Sequence, residues 1–95
     1  MKKYEIMYIL TAALEEEARK AEIAKLHGIL ENNKAQVLDT KEWGLKDFAS
    51  IIKKQTKGYY VILKVNADKP ALDEFDRLAK LNQNVLRHLV TVAQD

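Results

Sequence analysis

The chain has no cysteine, one proline, three glycines and two histidines among its 95 residues. Without cysteine it has no disulfide framework, no thiolate metal site and no cysteine nucleophile, a pattern that suits a reducing interior. Excess charge of one sign is also missing. Sixteen Lys and Arg stand against fourteen Asp and Glu, a formal +2, so any basic surface has to come from arrangement rather than total. Long apolar runs are lacking too. "IMYIL", at residues 6–10, is far shorter than the roughly 20 residues of a membrane span, and no signal-peptide pattern precedes it. A soluble, cytoplasmic protein is expected. With 47% hydrophobic residues the chain can close one core but has no room for a second, so residues 1–95 read as a single domain.

What is present falls into an ordered series of elements. Over residues 4–10, Tyr4, Ile6, Tyr8 and Leu10 share one face by period two while Glu5, Met7 and Ile9 share the other, which predicts a strand. Thr11 is placed to cap the next segment, and Glu15, Glu16 and Glu17 load its first turn with charge that favours a helix N-terminus. Ile23, Leu26, Ile29 and Leu30 recur at helical steps as a core stripe. Asn32 and Asn33 are expected to end that helix, because Asn tolerates the left-handed backbone a helix exit needs. "AQVLDTKEW" alternates loosely, and Gly44 marks a bulge or bend before "FASII" resumes. "KKQTKG" reads as a basic loop and "YYVILKV" as a strand, the two flanking segments pairing as a hairpin. Asp68 and Pro70 signal a second helix with Leu72, Phe75, Leu78 and Ala79 as its stripe, and "VLRHLVTV" closes the chain as a strand.

Strand, helix, strand, strand, helix, strand is the order of two split βαβ units. It predicts an α+β, ferredoxin-like βαββαβ domain, a four-stranded antiparallel sheet with two helices on one face. The other face is left without helices. Met7 and Ile9, with Tyr60, Ile62 and Lys64, are expected to point toward it. An aromatic on such a face is what sheet-based recognition of single-stranded RNA requires, yet the usual RNA-recognition motif of the K/R-G-F/Y-G/A-F type is absent from residues 59–65. Partial burial by a partner or by the chain itself is the expected state of this face.

Nothing in the sequence points to catalysis. His27 falls in the first helix and His88 in the last strand, the acidic residues cluster at helix starts, and no His and carboxylate are grouped. Two enzymatic or metal-carrying relatives of the fold fail on residues. An acylphosphatase needs an Arg in a phosphate-cradling loop after the first strand, where Thr11, Ala12 and Ala13 stand, and a heavy-metal carrier needs paired cysteines. No cofactor, metal or small-molecule substrate is expected.

Taken together, "KKYEIMYIL", "WGLKDFASII", "KGYY" and "DEFDRLAKLNQNVLRHLV" resemble the bacterial small-subunit ribosomal protein six family, over essentially the whole chain. The resemblance implies assembly on the ribosome rather than catalysis: binding of central-domain ribosomal RNA as a pair with small-subunit ribosomal protein eighteen, through a sheet edge and its neighbouring face. It makes Lys2, Lys3, Tyr4, Lys46 and Arg87 candidates for RNA contact. Phe48, Ala49, Ser50, Tyr59 and Tyr60 become candidates for the partner interface. Lys54 and Lys57 border the hairpin, where a solvated charge run is the simpler reading.

The match departs from the family in one segment. Where the family usually reads Gly-x-Arg-Arg-Leu-Ala-Tyr, this chain has Gly44, Leu45, Lys46, Asp47, Phe48, Ala49 and Ser50. Lys46 keeps a charge without the guanidinium fork, Asp47 reverses one, and Ser50 removes a ring. Opposite a phosphate the reversal costs about 1 kcal/mol or more, and a lost stacked ring about 1 to 3. Two alternatives stand beside the ribosomal reading: a redesigned sequence that keeps the fold without native RNA binding and, more remotely, a small enzyme of the same fold.

Overall fold

Period-two alternation does form the first strand, over a longer run than residues 4–10. The computed structural model describes the backbone of residues 2–52 and 55–93 and the side chains of residues 2–48 and 55–93. Its elements run β1 (Lys2–Thr11), α1 (Glu16–Asn32), β2 (Gln36–Ile52), β3 (Gln55–Ala67), α2 (Lys69–Leu81) and β4 (Val85–Val92). The sheet order is β2-β3-β1-β4, with every neighbouring pair antiparallel. This is the expected ferredoxin-like topology. β1 and β3 are interior, and β2 and β4 form the two edges.

The core lies between one sheet face and both helices. Ile6, Tyr8 and Leu10 of β1 and Val61, Leu63 and Val65 of β3 are fully buried there against Leu26 and Leu30 of α1 and Phe75 of α2. On α2 the buried positions Ala71, Phe75 and Ala79 recur every fourth residue, with Leu72 and Leu78 half-buried beside them. The small alanines let α2 lie close to the sheet, and the Phe75 ring tilts against that of Tyr8 with centroids 6.3 Å apart. Each large apolar side chain removed from water here contributes about 1.5 to 3 kcal/mol.

Three local expectations are corrected. Thr11 does not cap α1, because it is the last residue of β1 and the helix starts only at Glu16. Its Oγ1 instead donates to Gln55 Oε1 at 2.7 Å and accepts the Ala13 N–H at 3.3 Å, fastening the β1 exit to β3. The basic loop is also shorter than "KKQTKG", since β3 begins at Gln55. Lys57 is therefore a strand residue opposite Asp47, while Lys54 lies outside the described residues.

The third correction concerns the end of α1. Asn33 keeps a negative φ of −103° and donates its side-chain Nδ2 to the Ile29 carbonyl at 2.8 Å. The left-handed residue is Lys34, at φ 68°. Its N–H reaches the Glu31 carbonyl at 3.1 Å and the next N–H, of Ala35, reaches that of Leu30 at 3.0 Å. These two bonds make a Schellman ending, which glycine satisfies most cheaply. A lysine holds that backbone at a cost. Lys34→Gly is expected to stabilise the fold by roughly 0.5 to 1 kcal/mol, read as a higher urea midpoint at unchanged slope, and Lys34→Val to lower it.

Candidate nucleic-acid and partner interface

The face without helices takes its character from an irregularity in β2. Glu42 lies opposite Val61 and Gly44 opposite Tyr60, so Trp43 is an extra residue in β2. Gly44, at φ +88°, supplies the left-handed backbone that the bulge needs. Because strand side chains alternate, one inserted residue exchanges the faces of everything that follows. Lys46 and Phe48 thereby come to the helix-free face, and Leu45 and Asp47 turn to the other.

Gly44 has no side chain to place beside Tyr60, and the bulged Trp43 ring occupies that space. The two rings are within 19° of parallel with centroids 6.5 Å apart. Phe48 extends the group, tilted at 57° to Tyr60 with centroids 6.1 Å apart. Lys46 Nζ sits 4.3 Å from the centre of the Trp43 ring, a cation-π contact. Phe48 reaches this position across Gly58, where a Cβ would meet its ring at 2.6 Å and run into the Ile9 side chain. Hence Ile9, which points to this face as expected, is only 3% exposed. The chain covers this part of its own free face.

Beyond the aromatic group the face is ordered in cross-strand rows. Lys41, Ile62, Met7 and Leu89 form one, and Asp39, Lys64, Glu5 and Thr91 the next. Arg87 stands opposite Ile9 on β4 and is exposed. Basic side chains thus frame the apolar block on both sides, while the two carboxylates lie in the row that holds Lys64.

The sequence-derived site residues do not all meet here. Lys46, Phe48, Tyr60 and Arg87 share the helix-free face, and Lys3 lies on it at the far end of β1, opposite Asn66. Lys2 and Tyr4 alternate to the helix side, where Tyr4 packs against the core. Tyr59 also turns away from Tyr60, as adjacent strand residues must. Its hydroxyl donates to Glu42 Oε1 at 2.9 Å, and the Arg19 guanidinium lies 4.2 Å from its ring centre, tying α1 to the sheet. The side chains of Ala49 and Ser50 lie outside the described residues. Asp47 faces Lys57, with Oδ1 and Nζ 3.9 Å apart, on the side opposite the aromatic group. The residue that site selection from sequence missed is Trp43, although a Trp next to the bulge-forming Gly was its signal.

One grouping expected to be missing is present. His88 Nε2 lies 2.6 Å from Asp76 Oδ1, bringing a histidine and a carboxylate of β4 and α2 within hydrogen-bond reach. The bond to His88, and then that to Lys80 at 3.0 Å, holds the Asp76 carboxyl below its ordinary range. Neither residue lines any of the four surface hollows bordered by Glu31, Ala12, Lys25 or Asn32. The pair joins α2 to β4, with the Phe75 ring edge-on to the imidazole. Among the described residues no group of three or more His, Asp or Glu could hold a metal ion.

These features make a ferredoxin-like α+β domain whose distinctive chemistry is a basic and aromatic sheet face beside an edge strand. The family model described as ribosomal protein S6 matches residues 3–91. The chain belongs to the ribosomal protein S6 family, whose role in the small ribosomal subunit is structural. Its fold superposes on the crystal structure of 30S ribosomal protein S6 from Thermotoga maritima with a TM-score of 0.92 at 24% identity, covering 97% of this chain and 87% of that one. A more distant likeness is the P2 domain of the Thermotoga maritima chemotaxis kinase CheA, solved in complex with the response regulator CheY. There the TM-score is 0.61 at 17% identity, over 97% of this chain and 98% of that domain. At such identities both likenesses bear on the fold alone. No helix among the described residues is long and apolar enough to cross a membrane.

His27 gives the domain a pH response. Its Nε2 is buried without a hydrogen-bond partner among the described residues. Burial lowers its proton affinity below the ordinary histidine value, against the opposing pull of Glu31 and Glu42. The unfolded chain therefore takes up a proton at higher pH than the folded one, and stability falls as pH drops below about 6.5 toward the lower folded value. Urea unfolding at pH 7.5 and pH 5 is expected to show a lower midpoint at pH 5, with a smaller difference between the two in His27→Gln.

Proposed function

We propose that this chain binds central-domain RNA of the small ribosomal subunit together with small-subunit ribosomal protein eighteen. The observation that carries the reading is the bulge at Trp43, which sets Lys46, Phe48 and Tyr60 on one helix-free face beside the edge strand β2. The outer side of β2 offers unpaired backbone groups to a partner strand, and Phe48 and Tyr60 offer it apolar area. Ala49 and Ser50 follow in the same strand and extend that edge. Lys46 and Arg87 frame the block, and Lys3 adds positive charge on the same face at the far end of β1, so phosphates can be neutralised without a large net charge.

A second reading, a fold kept without the family's binding, draws on Lys46, Asp47 and Ser50 standing where the family usually has Arg, Arg and Tyr. With Asp47 turned to the opposite side and facing Lys57, that reversed charge does not border the aromatic group. The two readings separate in a titration of a central-domain RNA fragment, with and without protein eighteen, at several salt concentrations. Binding should tighten with protein eighteen and weaken with salt, and Lys46→Glu or Arg87→Glu should each reduce the salt slope by about one. Binding no stronger or more salt-sensitive than that of an unrelated basic protein would leave the fold-only reading.

A further inference from the structure

Trp43 is the only tryptophan in the chain, and it is 51% exposed. Its ring is continuous with those of Tyr60 and Phe48, and apolar side chains exposed as one patch, unlike single ones, mark an interaction surface. The bulge holds the indole beside Tyr60 in a near-parallel arrangement. Lys46 Nζ rests over its ring. Lys41 and Arg87 share this face, whereas Glu5 and Asp39 both lie one row further on, with Lys64 between them.

We propose that Trp43 is a stacking platform for one unpaired nucleobase of single-stranded RNA, and that Lys46 leaves the indole for the adjacent phosphate when the base arrives. The proposal rests on the RNA-binding reading above and adds to it a residue and a nucleotide class. An aromatic face accepts any base, and stacking a base on it is worth more than an exposed ammonium contact. The displaced ammonium is not left without a partner, because the incoming nucleotide brings its own phosphate. A neutral or basic peptide would gain from the apolar block but not from the three basic side chains around it. A polyanion with exposed bases gains from both.

Tryptophan fluorescence reports on this residue alone. The intact protein is titrated at low salt with short oligouridylate or oligoadenylate, with an RNA duplex of equal length as control. In parallel, a labelled central-domain RNA fragment is titrated with the wild type, Trp43→Leu and Trp43→Phe, after circular dichroism has established that the variants are folded. Single strands should quench the emission in a salt-dependent way and the duplex should not. Trp43→Leu should weaken binding of the fragment roughly tenfold while Trp43→Phe keeps most of it. Lys46→Gln should retain the quench but lose about one from the salt slope.

Unquenched emission with single strands overturns the proposal, as does emission that responds only to protein eighteen. A Trp43→Leu variant that binds the fragment like the wild type overturns it while the RNA-binding reading stands. Quenching by single strands without any binding of the ribosomal fragment supports the stacking platform and removes the ribosomal target.

Discussion

Between Glu42, opposite Val61, and Gly44, opposite Tyr60, β2 carries one residue more than β3. That insertion is possible because Gly44 adopts a left-handed backbone, and it exchanges the faces of the residues after it. In an uninterrupted strand, Leu45 and Asp47 would share a face with Lys41. With the bulge, Lys46 and Phe48 do. A leucine and a carboxylate are traded for an ammonium and a ring on the helix-free face. The ring group of Trp43, Tyr60 and Phe48, the covering of Ile9 and the pairing of Asp47 with Lys57 all follow from this one step in register.

The two sheet faces are stabilised differently. On one, the helices bury a continuous apolar layer from Ile6 to Phe75, and polar ties such as Tyr59 to Glu42 and His88 to Asp76 fix the rim. On the other, no helix is available and the end of β2 covers only what Phe48 can reach. Gly58 makes that reach possible, since any side chain there would occupy the space of the Phe48 ring and the Ile9 methyl. Covering stops at Trp43 and Leu89, which are about half exposed.

Much of this could be read from the residues. Alternation in β1, helical spacing in both helices and punctuation by Gly44 and Pro70 led to the right elements in the right order, because each of these signals is local. Face assignment after the bulge was not local, since it depends on whether Gly44 inserts a residue or only bends the strand. Tyr59 and Tyr60 come together only through the family resemblance, and alternation alone sends them to opposite faces. The His88 and Asp76 pair joins two elements and becomes visible only when α2 is laid on β4. Lys34 carries no sign in its chemistry that it must be left-handed; only the hydrogen bonds of the helix end demand it. The family resemblance was legible because its motifs lie along the whole chain, and the matched residues 3–91 agree with that extent.

The register step at Trp43 is tested most directly by nuclear Overhauser contacts across β2 and β3 in solution. The account predicts contacts from the Phe48 ring protons to the Ile9 methyls and the Gly58 α-protons, together with contacts between the Trp43 and Tyr60 rings. Contacts from the Leu45 methyls to Ile9, with Phe48 absent from Gly58, would show an unbulged strand and contradict it.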